Sequence, residues 1–189
     1  MNEIYKARLS LIPILAEKHE GRYIGRTALM KYMYFLQTLR GVPLGYHFSM
    51  YSYGPFDSEV LSDLSSAEAM NIVSSMPVSF SGGYGYRIQA SRNAQAAKQE
   101  SGKFISQHEN DVEWLFSKFG GMTSAELELA STIIYVDREF YGERKRFEPE
   151  QIVARVREIK PHFSQEQVQK SFDSLFDKGL ITSTQTGTS

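Results

Sequence analysis

Met76 to Gln89 reads MPVSFSGGYGYRIQ, and no other stretch restricts the fold as much. Two β-prone runs, Met76 to Phe80 and Tyr84 to Gln89, flank Ser81-Gly82-Gly83. Glycines at such a point supply the positive φ that a tight turn needs, so the runs close as a hairpin. Most of the remaining chain has its apolar residues at helical spacing instead. The expected class is therefore α+β and predominantly helical. With 41% hydrophobic and 13% aromatic residues in 189, a packed core follows, in one large domain or two small ones.

Helices are expected over residues 3–19, ended by Gly21, and from Thr27 as N-cap to Gly41. Tyr46 to Tyr53, YHFSMYSY, alternates large and small residues as a strand does, and Gly54-Pro55 ends it. Asp57 or Ser58 then caps a helix reaching Ile72. After the hairpin comes a polar segment, residues 91–103, and a helix over residues 104–119. Thr123 and Glu126 have the spacing of a capping box, opening a helix that ends near Arg138. Further helices are expected over residues 149–159 and from Ser164 to Gly179, with Leu180-Ile181-Thr182 as a closing strand.

The first half thus reads helix, helix, strand, helix, hairpin, close to a winged helix with an insertion. Residues 1–92 form that winged-helix-like module, with the hairpin as its wing. Residues 93–122 supply a linking helix, residues 123–182 a helix-turn-helix-like module, and 183–189 a polar, disordered tail.

The segments GRTALMKYMYFLQ, GYHFSMYSYGPFDSEVLSDL and GYGYRI resemble the YwgA-like family. They are more distantly similar to the Panacea (SocA-like) antitoxin domain, which also has a Lys-Leu-Tyr helix followed by a Tyr-Gly-Pro turn and an acidic helix. The likeness covers about residues 4–90, and residues 126–181 follow the YwgA-like pattern more loosely. The YwgA-like family carries no agreed enzymatic activity. The Panacea likeness implies binding and neutralisation of a protein partner, a toxin. The long second half departs from that simple pattern.

Chemistry-bearing motifs are sparse. His19, His47, His108 and His162 have no metal-ligand spacing and are expected as surface or half-buried side chains. Gly82-Gly83-x-Gly85 precedes a strand, whereas a phosphate loop needs a helix N-terminus after it. The carboxylate pairs Glu126 and Glu128, and Glu148 and Glu150, stand at i,i+2 and read as solvated surface. Cysteine is absent, which excludes disulfides and thiol chemistry. No enzyme activity, catalytic residue, metal or cofactor is expected. No apolar run reaches membrane-span length, and Pro13 and nearby charges interrupt the N-terminal one. A soluble, cytoplasmic protein is expected, and self-association is compatible with it.

Two binding readings compete. In the first, Tyr51, Tyr53 and Phe56 at the Gly-Pro corner, with Asp57, Glu59 and Asp63 on the following helix, contact a protein partner. The same aromatics serve equally as core. In the second, a winged-helix DNA-binding regulator uses Arg22, Arg26 and Lys31, with Arg144, Lys145 and Arg146. The net charge of −1 argues against bulk attraction to nucleic acid, but it is unevenly spread. Residues 1–55 carry a net +4, while residues 57–72, in the recognition-helix position, carry −4. Four carboxylates there oppose docking on phosphates.

Overall fold

The computed structural model describes residues 2–19, 24–80, 83–142 and 147–182. Among them are eight helices and two two-stranded sheets, so the class is α+β and predominantly helical. The chain divides into two compact units. Unit 1 holds residues 1–49 and 56–122, and unit 2 holds residues 50–55 and 123–189.

In unit 1, α1 (Glu3–Lys18) begins where the Asn2 side chain accepts the Ile4 amide at 3.1 Å. Its Leu11, Ile12 and Leu15 are buried. Next, α2 (Arg26–Arg40) is capped by Gly25 rather than Thr27 and stops at Gly41, whose φ of 67° lets its amide reach the Leu36 carbonyl. The buried face of α2 carries Leu29, Tyr32, Met33 and Phe35. Phe35 stacks on Phe119 at 4.1 Å between ring centroids, seating α2 on α5 (Gly102–Phe119). That helix also packs on α1, so residues expected to link two modules are part of unit 1. The polar stretch before it contains a further short helix, α4 (Ala94–Glu100). Its alanines let it lie against α1.

The run expected as one strand from Tyr46 to Tyr53 is not one. Strand pairing begins only at β1 (Ser49–Tyr51), and Gly54-Pro55, expected to end it, belongs to its partner β2 (Gly54–Phe56). Gly54 at φ 86° is what turns the chain back after Ser52-Tyr53. Pro55 is thus a strand residue, not the first turn of a helix. Tyr46 lies outside the strand, its backbone amide and carbonyl both bonded to the Gln37 side chain at 2.9 Å. Then α3 (Ser58–Ala69) follows with Asp57 as N-cap.

The hairpin forms as β3 (Val73–Phe80) and β4 (Gly83–Ala90), paired from Val73↔Ala90 to Phe80↔Gly83. A single bridge adds Ile24 to its edge, the Ile88 amide donating to the Ile24 carbonyl at 3.0 Å. The order α1, bridge, α2, α3, β3, β4 is that of a winged helix, with β1–β2 as the insertion. The element that pairs with the wing lies before α2, not after it. The turn residues Ser81 and Gly82, and Gly21, lie outside the described residues.

In unit 2, α6 (Ser124–Gly142), α7 (Pro149–Ile159) and α8 (Gln165–Asp177) pack on one another. The expected boxes are present. Glu126 accepts the Thr123 amide at 2.7 Å, and Gln167 accepts the Ser164 amide at 2.7 Å. Helix α6 runs past Arg138 to Gly142. Leu180-Ile181-Thr182 is not a strand. It is held by side chains instead: buried Asp137 accepts the Thr182 amide at 3.1 Å and its hydroxyl at 2.9 Å. The tail 183–189 lies outside the described residues.

Candidate functional site

Among the described residues of unit 2, one cation is buried. Helix α7 stops before Pro161, and Lys160 at its C-cap turns inward, 2% exposed. Its ammonium donates to the Ser52 carbonyl and, at 3.4 Å, to the Tyr51 carbonyl. Glu128 of α6, also buried, brings a carboxylate oxygen to 2.9 Å. That oxygen has no aligned hydrogen-bond donor, so its attraction to Lys160 is Coulombic. His162 approaches the same oxygen at 3.5 Å. Two carbonyls thus accept from the ammonium, and the Glu128 carboxylate balances its charge. Burial without them would cost several kcal/mol. Glu128, expected on a solvated surface, is therefore part of the interior of unit 2.

The backbone of the hairpin tip is gripped while its rings are left outside. Tyr51 is 64% exposed and Tyr53 70%. These are two of the residues proposed as partner anchors, and they belong together in unit 2. Sequence reasoning missed Lys160 and Glu128. A lysine before a proline at a helix end looks like any solvated residue, and its acceptors stand 108 and 109 positions earlier.

The other four anchors belong to unit 1. Phe56 is half-buried. Asp57 uses one carboxylate oxygen on the Glu59 amide at 2.9 Å and the other on the His47 amide at 2.6 Å. Asp63, expected on a contact surface, is 4% exposed. It accepts the Tyr46 hydroxyl at 2.8 Å and stands 3.5 Å from the Arg8 guanidinium. Arg8 also donates to the Leu44 and Gly45 carbonyls at 2.6 and 3.2 Å, pairs with Glu59 at 3.1 Å, and lies over the Tyr46 ring. Burial raises the Asp63 carboxyl above its ordinary value despite these partners, and burial also raises the Tyr46 hydroxyl. This cluster fastens α1, the loop before β1 and α3 together. One signal for it was legible: Arg8 sits within a run of apolar residues on a buried helix face.

Of the basic candidates, Arg22, Arg144, Lys145 and Arg146 lie outside the described residues. Lys31, expected on a basic surface, is buried in α2. Arg26 is exposed, with its guanidinium 3.9 Å from the centre of the Tyr86 ring. Helix α3, in the recognition position, carries Glu59, Asp63 and Glu68 and no cation.

Among the described residues no group of three or more histidine or acidic side chains could hold a metal ion. His19 is buried against Tyr32 and Phe116, not at the surface. His108 pairs with Asp111 at 2.8 Å, but Asp111 also takes Arg40 at 2.8 Å. That arrangement ties α2 to α5. Among the described residues no helix is long and apolar enough to cross a membrane.

No protein-family model matches the chain, and no curated protein matches it significantly.

Proposed function

We propose that the protein is a non-enzymatic regulatory binding protein that acts through protein–protein contacts, in the manner of an antitoxin. The observation that supports this reading most is the tip of the β1–β2 hairpin. Two large rings stand in water on a backbone that a buried lysine holds in place. Rigid aromatic anchors lose little conformational freedom on binding, which is why such residues dominate interface energetics. Asp57, Glu59 and Asp63 already have partners within unit 1, so the contact rests on Tyr51 and Tyr53 rather than on the acidic helix. The partner implied by the Panacea likeness is a toxin.

The test is a side-by-side capture with immobilised wild type and the Tyr51→Ala/Tyr53→Ala double variant, both shown folded by circular dichroism. A partner retained by wild type and lost by the variant is expected. It should persist at high salt, since aromatic burial is not screened. Equal capture by both proteins overturns the reading.

The winged-helix element order favours a second reading, a regulator that binds duplex DNA. Against it stand the acidic α3 and the burial of Lys31. Anisotropy with random duplex at low and physiological salt decides it, and no steeply salt-dependent binding is expected.

A further inference from the structure

The β3–β4 hairpin carries a surface that neither the core nor the hairpin tip of unit 2 uses. Its register puts Val73, Ser75, Pro77 and Ser79 on one face with Ala90, Ile88, Tyr86 and Tyr84. At the base this face is core, with Val73 and Ile88 buried. Further out the same face enters solvent. Tyr86 is partly exposed beneath the Arg26 guanidinium, and Tyr84 is 86% exposed. Two residues apart along β4, their Cα atoms stand about 7 Å from each other, close to one nucleotide step of an extended single strand. Gly83 and Gly85 alternate with them, so on the opposite face β4 adds no side chain at these two positions, which pair with Phe80 and Val78 of β3.

The hairpin and the segment bridged to it carry no acidic residue, although α1 and α3, which pack on β4 and β3, do. Residues 21–56 contain no Asp or Glu, and neither do residues 69–99. The Ile24–Ile88 bridge joins these two acid-free segments at the base of the hairpin. Arg26 comes from the first and Arg92 from the second, while Arg87, paired with Met76, lies on the other face of the hairpin.

We infer that the β3–β4 face is a binding platform for single-stranded nucleic acid, with Tyr84 and the Arg26–Tyr86 pair stacking on successive bases and Arg26 and Arg92 meeting phosphates. Stacking on aromatic side chains beside a cationic groove is how unpaired strands are held without sequence readout. A duplex hides the faces of its bases, so Tyr84 has nothing to stack on there. The platform does not depend on a protein partner at the other hairpin.

The experiment is fluorescence anisotropy of the full chain with labelled oligo(dT), oligo(U) and a duplex of equal length, at roughly 50 and 150 mM salt. Binding of either single strand above the duplex is expected, weakening as salt rises. Which strand binds tighter tells DNA from RNA. Tyr84→Ala should lower affinity at least about five-fold. Arg26→Gln should lower it too and reduce the salt slope by about one phosphate contact. Tyr84 is almost wholly in solvent, so its replacement leaves the fold intact, which a thermal melt checks. The Tyr51→Ala/Tyr53→Ala variant should bind like wild type, which separates this test from that of the protein partner. No single-strand binding at the lower salt overturns the inference. So does a duplex bound as tightly as the single strand, or an affinity indifferent to Tyr84→Ala.

Discussion

Lys160 and Glu128 face each other at 2.9 Å inside unit 2, and the same ammonium holds the carbonyls of Tyr51 and Ser52. The pair does two things at once. It neutralises two buried charges, and it immobilises the backbone on which two exposed tyrosines are mounted. Lys160→Met removes the cation and strands both Glu128 and the carbonyls. A loss of about 3 kcal/mol or more is expected. Adding Glu128→Met should restore part of that loss, because replacing both charges leaves none uncompensated. Urea unfolding followed by circular dichroism on the two variants checks this.

The exposed rings should behave in the opposite way. Tyr51→Ala and Tyr53→Ala remove little packing, so each should change unfolding free energy by no more than about 0.5 kcal/mol. A larger destabilisation by either substitution would show the tip to be a structural corner instead of a contact surface.

Arg8 and Asp63 distinguish a core charge from a surface one. Asp63→Lys places a second cation against Arg8 in a buried site and should cost at least about 3 kcal/mol. Glu59 pairs with the same arginine from a largely exposed position, so Glu59→Lys should cost about 1 kcal/mol or less. Thermal melts of the two single variants make the comparison. A charge-reversal experiment on this helix therefore reads folding before it reads binding.

Asp111 supplies a pH signature. Burial pushes its carboxyl up, but hydrogen bonds from His108 and Arg40 together hold it below the ordinary carboxylate value. A depressed folded-state value means that the contribution is complete above the unfolded carboxylate range and is lost as pH falls through the folded value. Asp111→Asn should thus cost about 1 kcal/mol near neutrality, and the gap to wild type should close in acid. Thermal melts from neutral to acid pH would show it, and a gap that widens in acid would contradict it.

Much of the fold was legible in local chemistry. The β3–β4 hairpin followed from paired β-prone runs around glycines, and the helix starts at Asp57, Thr123 and Ser164 followed from their capping oxygens. What was not legible depended on distant partners. Tyr46 to Tyr53 alternates like one strand, but the Gln37 side chain takes up the Tyr46 backbone and the positive φ of Gly54 turns the chain, which leaves a loop and a hairpin. Asp63, Lys31 and Glu128 look like surface charges, because spacing alone does not reveal that a helix face meets another element. Tyr51 and Tyr53 were legible as candidates. The lysine that fixes them was not, since nothing near Lys160 in sequence mentions residue 52.

That separation also bears on how the protein folds. Lys160 and Ser52 are 108 positions apart, so their contact closes a long loop, and the entropy of closure falls due before the contact returns anything. The lock should be among the last native contacts to form. Substitutions at Lys160 would then accelerate unfolding and leave the refolding rate nearly untouched, a φ-value close to zero. For a chain emerging from its N-terminus, the hairpin tip would spend the interval exposed, its tyrosines on a backbone that nothing yet holds still.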